Sequence, residues 1–393
     1  MVEFKNQVEA QSPHSKKIKQ WLKHPYLSFL ILGLVLLGVL GLQTSGYLDI
    51  ATFRAIGVTL IYFVAALGFT LLLGYSGLSS LGTAGFIGLG AYLAGLLMAK
   101  PGYDNFGSLI AYGLDLPPLI GLMIAILVAV ILGGVVGFIS LRIEGLYLAI
   151  VTLGLSEILV EIFKNLGKFT GGVDGRIINR SSYPSLFGSI PVTREVAFII
   201  LVVVIVIAMI FVVNLINSPT GRAMLALKNS SSAAQAMGVS VLKYRLTAFV
   251  LATVFAVVAG SMYMLFYQSS YADIWTLSLS LNILAAVIVG GAINVWGVFI
   301  GTFLIFGFDL AILQNIKFFQ SNSNASIIFS GLLIILVVMF YPGGISQMMA
   351  SLKAFTKNRK LKKTTRKENY ATSFEFKQTQ EEFISQQAAK IGR

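Results

Sequence analysis

Apolar runs close to 20 residues recur along most of this chain. About 20 helical residues are what it takes to cross the hydrocarbon core of a bilayer. Only 11% of the residues are charged and 56% are apolar, against about 25% charged in soluble domains. The expected fold is an all-α integral membrane protein, a polytopic bundle of about ten transmembrane helices. A lipid-embedded bundle does not follow the size rules of soluble domains, so length sets no domain count.

The runs place spans near 26–43, 55–74, 78–99, 118–140, 145–163, 195–216, 246–267, 279–292, 295–313 and 326–341. Three regions follow: a basic N-terminal segment at 1–25, a transmembrane domain at 26–346 and a basic, polar tail at 347–393. Lys16, Lys17, Lys19 and Lys23 precede the first span, and Lys353, Lys357, Arg359, Lys360, Lys362, Lys363, Arg366 and Lys367 follow the last. Lysine and arginine beside spans favour the cytoplasm, so both ends are expected inside and the number of crossings even. The 100–117 and 268–278 loops then fall outside. One loop opposes the scheme: 164–194, also outside, carries Lys164, Lys168, Arg176, Arg180 and Arg194 against Asp174. The 279–292 run is short and close to 295–313. If one of the two is re-entrant, the count falls to nine and the ends separate. The first run follows a long polar segment without a small-residue cleavage site and reads as an anchor rather than a cleaved signal.

The 217–245 loop carries Arg222, Lys228, Lys243 and Arg245 and no acid, which places it in the cytoplasm. It also predicts order. Ser218 or Thr220 can cap a short helix from near Gly221, and Ala223, Met224, Ala226 and Leu227 favour one. Ser232, Ala233 and Ala234 precede Gly238, where a helix can stop or another body approach. The plain alternative is a solvated linker.

Glycine is abundant, with 39 residues. Gly74, Gly77, Gly82, Gly85, Gly88, Gly90 and Gly95 lie in one stretch with Ser76, Ser79, Ser80 and Thr83 interleaved. Glycine permits close helix approach and also a break, tolerated at membrane depth where it lines a cavity. Tight packing accounts for most of these glycines; the Gly/Ser cluster as a group (Gly77, Ser79, Ser80, Gly82 and Gly85) is the candidate translocation pathway. Residues 85–88 and 297–301 share a short GFIG-like texture, a slight sign of internal repetition.

Intramembrane charge is sparse: Glu144, Glu157, Glu161 and Asp309. Glu157 and Glu161 share a helix face, and neutralisation by Lys164 and Lys168 is their simplest reading. The two histidines, His14 and His24, sit in the polar N-terminal segment. Absence of cysteine removes thiol catalysis, thiolate metal sites and disulfides. No metal site and no catalytic residues are expected. The net charge of +13 suits anionic membrane lipid and does not require nucleic acid. In the 164–194 loop, Thr170, Gly171, Gly172, Asp174 and Gly175 read either as a plain turn or as an external docking loop.

Five stretches in order, 74–95, 144–158, 170–175, 221–263 and 287–302, with a late YPGGI at 341–345, resemble the LivM-type permease subunits of branched-chain amino acid ABC importers. The resemblance covers about residues 26–346. It implies a bacterial, multi-pass cell-membrane protein and four kinds of partner: membrane lipid, a second, LivH-like permease, two cytoplasmic ATPase subunits and an external solute-binding protein. ATP and magnesium belong to the ATPase, and this chain is expected to bind no cofactor. It contains no G-x-x-x-x-G-K-[ST] phosphate loop.

In that family the 217–245 loop docks on the ATPase. Gly221, Arg222, Ala223, Ala226, Ser232, Ala233, Ala234 and Gly238 are the expected coupling residues, with Ser232 where importers usually carry glutamate. Residues 228–231 read Lys-Asn-Ser-Ser where relatives often carry acids, which places the usual salt bridges to the ATPase in question. The resemblance also implies that the 170–175 loop receives the binding protein. The family reading is alternating access for leucine, isoleucine or valine. Alternatives are nucleosides or urea on a related permease, or an ion-coupled transporter, which calls for buried carboxylates in several spans. A membrane enzyme would need a clustered polar set that the sequence lacks.

Overall fold

The computed structural model describes residues 25–347 except 100–101, 104–108, 111–112, 141–145, 179–184, 187–189, 308–330, 333–334, 336–338 and 340–342. The expected terminal segments at 1–24 and 348–393, most of the 326–341 span, the end of the 295–313 span, Glu144 and Asp309 lie outside the described residues.

Among those described, the long helices are α1 (Pro25–Thr44), α2 (Ile50–Phe69), α3 (Thr83–Met98), α4 (Pro118–Ser140), α5 (Leu146–Asn165) and α6 (Arg194–Asn217). Two short helices follow, α7 (Pro219–Asn229) and α8 (Ser231–Ala236), then α9 (Val241–Tyr267), α10 (Leu277–Gly290) and α11 (Val295–Thr302). Six helical stretches are long and apolar enough to cross a membrane, while Thr83–Met98 and Val295–Gly307 are apolar but shorter. α5 has 20 residues, but its C-terminal half carries Glu157, Glu161 and Lys164. The all-α polytopic fold is as expected, with ten an approximate number.

α2 and α9 form the centre. The window across Ile50–Tyr75 is 89% buried, and α9 packs on α2, α3 and α4. Small residues set these crossings. A Cβ on Gly90 would strike the Val257 carbonyl, and one on Gly260 the Ile87 carbonyl, so two backbones meet with no side chain between them. Around this centre α4 turns Met123, Leu127, Ile131 and Val135 outward, and α6 turns Ile199, Val203, Ile207 and Phe211 outward. Those faces suit lipid.

Several boundaries differ from expectation, beginning with the 55–74 span, which starts five residues early, at Ile50. The 78–99 span begins as a helix only at Thr83. The 246–267 span begins five residues early, at Val241, where the Ser240 hydroxyl caps Lys243 N–H at 3.5 Å. The 279–292 span is α10, which stops at Gly290 because Gly291 (φ +97°) turns the chain back into α11.

Candidate functional site

The Gly/Ser stretch is a broken helix. α2 passes into a wide π-helical turn, Thr70–Tyr75. Ser76 N–H reaches back to Leu71 at 3.1 Å, and Leu78 N–H to Leu72 at 3.0 Å. Gly77, at φ +72°, turns the chain out, a conformation that costs glycine little. Residues 77–82 are irregular, and neighbouring hydroxyls take their backbone donors. Thr152 Oγ accepts from Leu81 N–H at 3.0 Å, Ser280 Oγ from Ala84 at 2.9 Å and Ser156 Oγ from Gly85 at 3.1 Å. Ser80 Oγ accepts from Gly82 at 3.3 Å. Hydroxyls on α5 and α10 thus cap the start of α3 and satisfy a break that lipid would not.

The five pathway candidates take different places here. Gly82 and Gly85 are contact points on α5: a Cβ on either would meet Thr152 or Ser156. Ser80 is buried beside Thr83, Phe86, Phe249 and Thr253 around a space of about 10 Å³, room for about one water. Ser79 is half-buried, and Gly77 is exposed, underneath the Lys228 stem.

The 217–245 segment is two short capped helices. Ser218 Oγ accepts from Gly221 N–H at 3.4 Å, and Pro219 occupies the first turn, where a missing N–H costs nothing. Gly221, Met224 and Leu227 are buried against the bundle, while Arg222 and Ala226 are exposed and Ala223 is intermediate. Ser230 caps α8 through Ala233 N–H at 3.3 Å. Gly238, at φ +84°, ends it: its own N–H bonds Gln235 at 2.9 Å and Val239 N–H bonds Ala234 at 3.0 Å, the paired bonds of a Schellman motif. Ser232, Ala233, Gln235 and Ala236 are exposed around Met237, which is 85% exposed at the tip. Ala234 faces inward.

At the opposite end of the bundle lies the 170–175 loop. Thr170 Oγ donates towards Phe163 carbonyl at 2.6 Å and Leu166 carbonyl at 2.8 Å, and accepts from Gly172 N–H at 3.2 Å. Gly171, Gly172 and Gly175 all have positive φ. Arg176–Ile177 pairs antiparallel with Ser269–Ser270, tying the 164–194 and 268–278 loops together. Val173 and Asp174 project from the tip. The cations that opposed the orientation scheme are largely engaged within the chain. Arg176 is buried and donates to Phe169 carbonyl at 2.7 Å; burial pulls its pKa down to about 10, so it stays charged at neutral pH. Lys164 lies 3.2 Å from Asp273, and Arg194 Nε donates to Phe266 carbonyl at 3.4 Å.

The profile of the "Branched-chain amino acid transport system / permease component" family matches residues 51–338. The chain belongs to this family. The permease is 30% identical to the LivM high-affinity branched-chain amino acid transport permease of Escherichia coli over 328 residues, covering 78% of this chain and 71% of that one. It is 29% identical to the Salmonella typhimurium LivM over the same shares. It is 26% identical to a probable LivM of Methanocaldococcus jannaschii, covering 72% of this chain and 90% of that one. No solved structure matches. The permease is therefore a LivM-type, multi-pass membrane protein and a transport subunit rather than a catalytic enzyme.

Two site features of the permease escaped the sequence. Thr152, Ser156 and Ser280 look like ordinary helix hydroxyls; only the fold brings them to the α3 start. The lysine neutralisation expected for Glu157 and Glu161 holds only for Glu161, whose Oε1 lies 4.0 Å from Lys164. Lys164 is closer to Asp273, and Glu157 has no ion pair among the described residues. Glu157 is exposed at mid-helix, where a carboxylate faces protein or water rather than lipid.

Proposed function

We propose that this permease moves leucine, isoleucine or valine across the cell membrane of a bacterium by alternating access, as one of two membrane subunits of an ABC importer. Two ATPase subunits, holding ATP and magnesium, act on α7 and α8 from the cytoplasm. An external solute-binding protein delivers substrate at the 170–175 loop. The match across residues 51–338 carries the reading. Relatives named for branched-chain amino acids support the substrate class, and nothing comparable favours nucleosides, urea or an ion-coupled carrier. The two sites suit their roles because they lie at opposite ends of the bundle. The pathway is proposed to run past the broken segment 76–82, in a form more open than the closed one described.

Uptake by the reconstituted complex tests the substrate. Unlabelled leucine, isoleucine and valine are expected to compete with labelled leucine, while adenosine and urea at the same concentration leave it unchanged. Competition by adenosine instead moves the assignment to nucleosides.

Sidedness has its own test, helped by a chain with no cysteine. Ser232→Cys is expected to resist a membrane-impermeant thiol reagent in intact cells, and Asp174→Cys, on an exposed tip, to react. Labelling of Ser232→Cys from outside would reverse the orientation and end the coupling role of α8.

A further inference from the structure

Lys228 sits in the last turn of α7, where a lysine ordinarily serves the carbonyls of its own helix. Here it reaches across 154 positions of sequence. Its Nζ donates to Gly74 carbonyl at 2.7 Å in a half-buried bond. That carbonyl is open to it because the second span breaks there. In a continued α-helix Leu78 N–H would bond Gly74, but it turns back to Leu72 at 3.0 Å. A cation at a helix C-terminus is favoured by the partial negative charge of its carbonyls. The Lys228 stem lies over Gly77, where a Cβ would come within 3.1 Å of the lysine Cγ.

The same joint touches the second break in the bundle. Gly74 abuts the Ala292 backbone so closely that a Cβ would strike its carbonyl. Tyr75 OH donates to Ile293 carbonyl at 2.9 Å. The irregular stretch after α2 and the turn between α10 and α11 therefore meet, and Lys228 is bonded to their meeting point. The residue is exposed overall, but its Nζ is turned to the bundle, which also accounts for a lysine where a charge aimed at an ATPase was expected to be acidic.

We propose that Lys228 is a positioning residue that ties the coupling helix to the broken end of the second span. Displacement of α7 is thereby delivered to residues 76–82 and to the 291–294 turn. The inference rests on the coupling reading of α7 and α8. The seat of α7 itself is provided by Gly221, Met224 and Leu227, so loss of the lysine should leave the helix in place.

The test uses the complete complex in proteoliposomes. For Lys228→Met we expect ATPase co-purification at the unsubstituted level. Uptake should fall about ten-fold or more, the scale of one charge-assisted hydrogen bond, and hydrolysis should lose its stimulation by the loaded binding protein. Lys228→Arg should restore most of the uptake, because it keeps a donor and the charge. Normal stimulated hydrolysis and uptake in Lys228→Met would overturn the proposal. So would loss of the ATPase from the Lys228→Met complex, since the lysine would then only hold the docking surface together. The coupling reading is tested apart from it: with Lys228 intact, Ser232→Cys should cross-link to the ATPase through a short bifunctional reagent. No cross-link would sink that reading whatever the lysine variants do.

Discussion

Gly90→Leu and Gly260→Leu should each leave almost no permease in the membrane. At both positions a Cβ would fall on a backbone carbonyl of the facing helix, Val257 for Gly90 and Ile87 for Gly260. Backbone cannot rotate away as a side chain can, so α3 and α9 must separate. Overpacking a core typically costs about 1–3 kcal/mol, and separating α3 from α9 also strips contacts along their whole crossing. Accumulation is expected to fall several-fold or more, since a loss of about 1–2 kcal/mol can already change cellular abundance several-fold and this change exceeds that. Quantitative immunoblots of membrane fractions measure it. Gly134→Leu is the control, because nothing lies within 4 Å of its Cβ, and it should accumulate normally. Normal accumulation of Gly90→Leu would mean that α3 and α9 do not meet as described.

Gly221→Val should do the opposite: normal insertion with a detached ATPase. The Gly221 Cβ position lies 2.5 Å from Leu215 carbonyl and close to that of Ile216, so the end of α6 and the start of α7 share that space. Valine there must swing α7 away from its seat while the spans remain packed. ATPase co-purification and uptake should both drop to background, with membrane abundance largely retained, because the strain falls on the junction of α6 with the short helix α7 and not on the packed spans. Arg222→Ala should be milder. Arg222 is exposed and bonds only Asn217 carbonyl, at 3.3 Å, among the contacts described. If it meets the ATPase by a charge-assisted bond, its loss weakens docking by roughly 1.5–3 kcal/mol. Full retention of the ATPase by Gly221→Val would count against α7 as the docking element.

What was legible in the sequence depended on whether the signal was local. α4 falls where its unbroken apolar run places it, and the start of α7 and the end of α8 could be read from Ser218 and Gly238, because caps act within a turn of the helices they end. The start of α3 could not. Residues 78–82 are as apolar and small as a span requires, and what keeps them from helix is the π turn before them and hydroxyls from α5 and α10. Lys164 was legible only in part for the same reason: its pairing with Glu161 is local, whereas its shorter contact, with Asp273, is supplied by the fold. Arg176, counted as a loop cation, proves to be a buried strut where the 164–194 and 268–278 loops meet.

A membrane helix stitched only by its own ladder moves as a rod or must be unpicked bond by bond. The first turn of α3 is fastened differently, by latches. Thr152, Ser156 and Ser280 hold its leading amides through bonds that a rotation about one side-chain torsion releases. All three hydroxyls are buried, so the helices that carry them decide when they turn, and each neutral hydrogen bond is worth only about 0.5–1.5 kcal/mol net. Unlatching that turn would leave every backbone bond further along α3 intact, so a change of shape at this point would not require a span to refold.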